Sequence, residues 1–268
     1  AMPLSDIKAK VDAIAAEQLA NEFGPQRYAL LFKPGTYGSS ANPLNFQVGY
    51  YTAVAGLGAS PTDVVINGSI NVYNRCRNGV CFALDNFWRS MSNLTINVTD
   101  PPNAGCYAGN FWAVSQAAPM RRVNVTGGNL TLMDYCTGPS FASGGFIADS
   151  QAGLIINGSQ QQFLVRNSQV GTWTNGVWNQ VFSGVVGAPG ECFPAQASCG
   201  GPYTTLPTSP VTREAPYLTV DSRGRYRIVV PSLRRDSVGM SWGSAAAADA
   251  SRHGRDHADD DFFVAKPS

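Results

Sequence analysis

After Gly24-Pro25 helical periodicity disappears, and the chain becomes a succession of short apolar segments, each ended by Gly, Asn or Pro. "DVVINGSINVY", "MSNLTINVT", "RRVNVTGGNLTLM" and "AGLIINGS" alternate apolar and polar residues. That period of two belongs to strands with one buried face. Several segments share the form apolar-x-apolar-Asn: "LTIN" (94–97), "VNVT" (123–126) and "LIIN" (154–157). "AVSQAAPM" (113–120) and "IADSQAGL" (147–154) share a Ser-Gln-Ala core. Strands, regular turns and an imperfect repeat of roughly 20–35 residues predict a solenoid in which each coil stacks on the next. A β-sandwich would carry more Asn-Gly hairpin signals between paired strands. The predicted fold class is therefore all-β, a single-stranded parallel β-helix over residues 26–242.

The exposed end of such a stack needs a cover. "LSDIKAKVDAIAAEQLANEF" supplies one: Ile7, Val11, Ile14, Leu19 and Phe23 recur near a 3.6 period and form one apolar stripe. Ser5 is placed to cap this helix, Asp6 suits its positive end, and Gly24-Pro25 stops it. Residues 1–25 are thus predicted to be an N-terminal capping α-helix. At the other end "GSAAAADASRHGRDHADDDFF" is small, polar and charged, with no β pattern. Residues 243–268 read as a flexible tail or the start of a truncated second segment.

Charged residues make up 14% of the 268, with a net charge of +1. No basic field is present to recruit nucleic acid or an anionic membrane. No apolar run of about 18 residues could span a bilayer. Ala1-Met2 reads as a processed or cloned start. Six cysteines stand at 76, 81, 106, 136, 192 and 199. An even number suits disulfides and leaves many connectivities open. Cys76 with Cys81 and Cys192 with Cys199 each bracket a short polar loop, so local clips there would leave Cys106 to pair with Cys136. The cysteines point to a secreted, extracellular protein. Asn67, Asn93, Asn97, Asn124, Asn129 and Asn157 head N-x-S/T sequons. They would accept glycans in a eukaryotic secretory pathway, or simply reflect Asn and Thr in β turns.

Most catalytic constellations are missing from the β region. Both histidines, His253 and His257, lie in the tail, where they read as part of a solvated charge run rather than a metal site; no metal and no cofactor is predicted. Glycoside hydrolysis normally uses an acid and a base or nucleophile. Asp85, Asp134 and Asp149 are flanked by apolar or aromatic residues, where burial would raise a carboxyl pKa. Trp173 and Trp178 stand among Asn175, Asn179 and Gln180, a mixture of rings and amides that suits a neutral, hydroxyl-rich ligand.

"GSQQQFLVRNS" (158–168) leads three glutamines into a strand. Alternation puts Gln161, Phe163 and Val165 on one face, and Gln162, Leu164 and Arg166 on the other. Phe163 and Val165 are natural core residues. Gln161 is then structural, and Gln162 faces outward beside Arg166, where it can meet a sugar or a water; the alternative is that the whole stretch forms a structural ladder of amides with neighbouring coils.

"YALLFKPGTYG" resembles the opening strand of the pectate-lyase-like right-handed β-helix superfamily. "GGFIADS", "NGSQQQFLVRNS" and "NGVWNQVFSGV" resemble the first β-helix of glycoside hydrolase family 55, whose members are β-1,3-glucanases with two tandem β-helical halves. The resemblance covers roughly residues 26–242. It implies a right-handed coil. It also implies that Gln161 and Gln162 help position the attacking water, with Asp149 a nearby polar group, and that the segment Asn175 to Gln180 lines the same cleft. The general acid would come from a second β-helical half, which "DFFVAKPS" would open, so this chain is expected to be incomplete as a catalyst.

The expected function is a secreted carbohydrate-active protein acting on or binding a neutral polysaccharide such as a β-glucan, by inversion if it hydrolyses. Gln162, Asp149 and Gln161 form the expected catalytic set. Trp173, Asn175, Trp178, Gln180 and Arg166 are expected to hold sugar. The alternative is a non-catalytic glycan-binding or cell-surface scaffold. A third reading, a polysaccharide lyase, would use Arg121, Arg122 and Arg166 on a uronate, although no acidic Ca²⁺ cluster is visible.

Overall fold

A computed structural model describes residues 2–82, 84–99, 109–136, 142–158, 162–174, 179–192 and 202–243. It is mostly β, with one α-helix and one large parallel sheet, an arrangement consistent with a parallel β-helix. Along the first face the strands Tyr28–Phe32, Thr52–Gly56, Arg89–Val98, Met120–Thr126, Gly144–Ala148, Gln162–Arg166, Gln180–Ser183 and Tyr203–Leu206 pair in sequence order. The chain then turns a corner and pairs again. Val64–Asn71, the second halves of Arg89–Val98 and Met120–Thr126, and then Gln151–Ile156 and Gln169–Thr174 form a second face. Gly109–Phe111, Asn129–Thr131 and the ends of the last two strands form a third.

Register explains the core. On the first face Val54, Met91, Met120, Ile147, Val165 and Phe182 are successive partners, and all are buried. On the second, Ile66, Ile96, Val125, Ala152 and Val170 follow one another. Each full burial of such a side chain stabilises by about 1.5–3 kcal/mol. "LTIN" and "VNVT" are in register, since Leu94 faces Val123 and Ile96 faces Val125. "LIIN" lies one face further along, with Ile155 opposite Leu130. The two Ser-Gln-Ala segments are offset, because Met120 of the first pairs with Ile147 of the second.

The helix spans Leu4–Gln18, ending five residues before Phe23. Pro3, not Ser5, occupies the N-cap; Ser5 lies within the first turn and donates to Asp6. Val11, Ala15 and Gln18 are the buried residues, and Gln18 closes the helix by donating Nε2 to the Tyr50 carbonyl at 2.7 Å. Phe23 is 80% exposed.

The predicted span of parallel coils, 26–242, includes a segment that pairs differently. After Tyr203–Leu206, Ser209–Thr212 pairs antiparallel with Arg234–Ser237, and Tyr217–Val220 with Tyr226–Val229. Asp221 sets the turn of the second pair, accepting from the backbone N–H of Arg223 and Arg225, with Gly224 at φ 77°. This arm runs back along the corner between the first and second faces. Val220 N–H reaches the Leu57 carbonyl, and Gly239 N–H reaches Gly184.

Cys76 and Cys81 form the expected local disulfide. Cys136 and Cys192 are also disulfide-bonded, while Cys106 and Cys199 lie outside the described residues. Asn93 and Asn157 are fully buried, so those two sequons serve the fold; Asn93 donates to the carbonyls of Gly56 and Gly58.

Candidate functional site

The strand Gln162–Arg166 alternates as its sequence predicts: Phe163 and Val165 point inward, while Gln162 and Leu164 are exposed and Arg166 is half-buried. Gln162 sits at the strand's start, where it lines a cleft of about 360 Å³. The other walls are Gln116, Ser143, Phe146 and the small residues of 117–119 and 144–145. Gly144 pairs directly with Gln162. A Cβ on Gly144 would overlap the Gln162 carbonyl, and its φ of 128° disfavours any other residue. Ser143 Oγ reaches Gln116 Oε1 at 3.5 Å. Two amides, a hydroxyl and one aromatic ring therefore share this concavity, and none of its described lining residues is ionised.

Beside the cleft the outer face is braced by charge. Glu214, buried, accepts from Arg166 at 2.6 Å and from Arg121 at 3.3 Å. Both guanidiniums lie over Phe146, at 4.5 Å for Arg121 and 5.5 Å for Arg166. Arg166 thus stands beside this cleft, held by Glu214. Gln116, Ser143, Phe146 and Glu214 were not singled out by sequence reasoning. Gln116 and Ser143 come from turns, Phe146 from the strand Gly144–Ala148 and Glu214 from the returning arm, and only the coil brings them together.

Asp149 is elsewhere. It occupies the corner between the first and second faces at φ 50°, in line with Asn93 (φ 53°), Arg122 (φ 53°), Asn167 (φ 44°) and Gly184 (φ 59°). Fully buried, it pairs with Arg122 at 3.2 Å and accepts from the Ser241 hydroxyl at 2.6 Å and from the Ser241 backbone N–H. Trp242 Nε1–H donates to its carbonyl. Burial pushes its carboxyl up, opposed by the Arg122 charge and the Ser241 hydrogen bonds. Asp134 is likewise buried, accepting from the backbone of Asn74 and Cys136, and Asp85 pairs with Arg75 at 3.1 Å.

Trp173 is opposite Ile155, which is opposite Leu130, so it fills the interior of the third face against Phe163 and Phe182 rather than presenting a ring to a ligand. Gln180 is also buried, beneath the first face. The expected outward display of these two fails because each falls on the inward beat of its strand. Gln161, Asn175 and Trp178 lie outside the described residues. Arg121, Arg122 and Arg166 each face a carboxylate of the protein itself, which removes the support for a uronate-binding lyase. Among the described residues no cluster of His, Cys, Asp or Glu could hold a metal ion, and no helix is long and apolar enough to cross a membrane.

The chain is 46% identical over 264 residues to an exo-beta-1,3-glucanase of Streptomyces sp. (strain SirexAA-E / ActE), covering 98% of this chain and 39% of that protein. It is similar to part of a β-1,3-glucanase. Among solved structures it matches sacteLam55A from Streptomyces sp. SirexAA-E with a TM-score of 0.75 at 44% identity, over 89% of this chain and 40% of that one. It matches a variant of sacteLam55A in complex with glucose equally well, with a TM-score of 0.75 at 45% identity, over 89% of this chain and 39% of that one. No protein-family model matches the chain. The chain thus spans about two-fifths of the length of the relatives it matches.

Proposed function

We propose that this chain is a glycoside hydrolase family 55 β-helical unit, secreted, that binds β-1,3-glucan in the cleft lined by Gln162. The identity of 46% to an exo-beta-1,3-glucanase carries the reading. The cleft's chemistry agrees with it, because amides and a hydroxyl beside an aromatic ring match sugar hydroxyls and C–H faces. In this reading the coil is right-handed and of the pectate-lyase-like kind, with the N-terminal helix covering its first turn.

Gln162 has the carbonyl and amide groups to hold a water against an anomeric carbon. Inverting hydrolysis also needs a carboxylic acid to protonate the leaving oxygen. No carboxylate stands among the described residues that line the cleft. We therefore assign glucan binding and water positioning to this unit, and the acid to a second β-helical half. The same observation favours, as a second reading, a glycan-binding unit without hydrolysis of its own.

Product release by mass spectrometry and binding by calorimetry, on a panel of neutral and uronic polysaccharides, test these readings. The expected result is binding of β-1,3-glucan that Gln162→Ala weakens about tenfold, as loss of one or two hydrogen bonds would. Hydrolysis by this chain alone would sink the division of labour. Silence on every glycan would sink the carbohydrate reading.

A further inference from the structure

A second corner of the coil, where the chain enters the first face, also carries left-handed residues, and here they are costly ones. Tyr51 has φ 53°, Trp88 φ 56° and Ala117 φ 57°. Asn, Asp and Gly adopt this conformation readily; bulky aromatics do so rarely, and such strain collects at functional positions. Tyr51 N–H donates to the Trp88 carbonyl, and Arg89 N–H to the Ala117 carbonyl, so the three stack on successive coils. Ala117 lines the cleft.

The aromatic rings there form one surface. Trp88 stacks on Tyr51 with centroids 5.2 Å apart and planes 16° apart, and Phe23 stands edge-on to Trp88 at 6.3 Å. Arg27 lies 3.4 Å from the centroid of the Tyr51 ring. Phe23 and Trp88 remain 80% and 40% exposed. The surface is held in place from beneath. Arg75 bridges Glu22, next to Phe23, and Asp85, three residues before Trp88, at 2.8 and 3.1 Å. The adjoining hairpin is clipped by Cys76–Cys81.

We infer that Phe23 and Trp88 form an auxiliary binding platform for a distal stretch of the same β-glucan chain whose end occupies the Gln162 cleft. The inference rests on the glucan reading above. Its independent support is continuity: with coils about 4.8 Å apart, the three steps from Trp88 through Ala117 and Gly144 to Gln162 span roughly 14 Å along one edge. A neutral pyranose offers apolar C–H faces to exposed rings without needing an ionic partner.

Calorimetry on the 268-residue protein with a long β-1,3-glucan and with a short laminari-oligosaccharide tests it. Trp88→Gly suits the left-handed backbone, and Phe23→Ala removes an exposed ring, so both variants should fold. Each is expected to weaken the long chain about 3- to 10-fold, the scale of one aromatic stacking contact, and to leave the short ligand unchanged. Gln162→Ala should weaken both. Unchanged long-chain affinity in both platform variants would overturn the platform while leaving the cleft intact. So would loss of self-association, by sedimentation, as their sole effect. Failure of the wild type to bind the short ligand would instead overturn the glucan reading itself.

Discussion

Arg122 Nη1 lies 3.2 Å from Asp149 Oδ2, and the two residues occupy successive left-handed positions on one corner of the coil. The pair is continued on both sides. Arg122 Nε donates to Asn93, its Nη2 donates to the Ala59 carbonyl, and its guanidinium lies 4.2 Å from the Tyr217 ring centroid. Asp149 holds Ser241. Through this pair the returning arm is fastened to the β coil.

Removing one partner leaves the other charge buried and unpaired. Asp149→Ala should therefore destabilise by about 3–5 kcal/mol, read as a lowered urea midpoint, with proteolysis in the 207–243 arm increased. A midpoint equal to the wild type's would show that Asp149 does not anchor the arm.

The same carboxyl should titrate above its ordinary 3.8, because burial outweighs Arg122 and Ser241. The native state then takes up this proton before the unfolded chain does as pH falls. Its contribution to stability consequently drops as pH rises from the unfolded value through the folded one. Arg122→Met removes the charge that lowers the folded value, so the carbon-13 titration midpoint of Asp149 should move further up. A downward move would reverse the assigned balance.

Trp173 separates the ligand-facing expectation from the observed packing. Trp173→Ala should lower stability by about 3–5 kcal/mol, as large-to-small changes in a core do. Normal stability with lost glucan affinity would restore the expected sugar-facing role.

Gly144 has a structural task with a functional result. Gly144→Ala places a methyl against the Gln162 carbonyl at a φ that alanine resists. It should destabilise by more than about 1 kcal/mol and displace Gln162 from the cleft, lowering glucan affinity together with the melting temperature. Unaltered affinity would mean that Gln162's backbone position is not what orders the site.

Within the Gln162–Arg166 strand, local alternation was enough. Phe163 and Val165 inward, with Gln162 and Leu164 outward, follow from a period of two, because successive side chains must leave a strand on opposite faces. Alternation also fixes Trp173 and Gln180 once the phase is known. Their polar and aromatic neighbours suggested a binding surface, yet phase decides exposure, and phase depends on where the preceding corner ends the turn. Asp149 misled for a related reason. Its apolar neighbours correctly implied burial, but the groups that occupy it, Arg122 and Ser241, are distant in sequence.

The sequence by itself determined that the chain would be built from short stacked strands with a helix at one end, because periodicity, turn residues and apolar stripes act between near neighbours. Only the tertiary structure decided that residues 207–243 return as an antiparallel arm, that Glu214 braces Arg121 and Arg166, and that Gln116, Ser143 and Gln162 meet in one cleft. Those contacts depend on the number of residues in each coil and on the angle of each corner. These lengths are summed over many turns, and no local pattern records the sum.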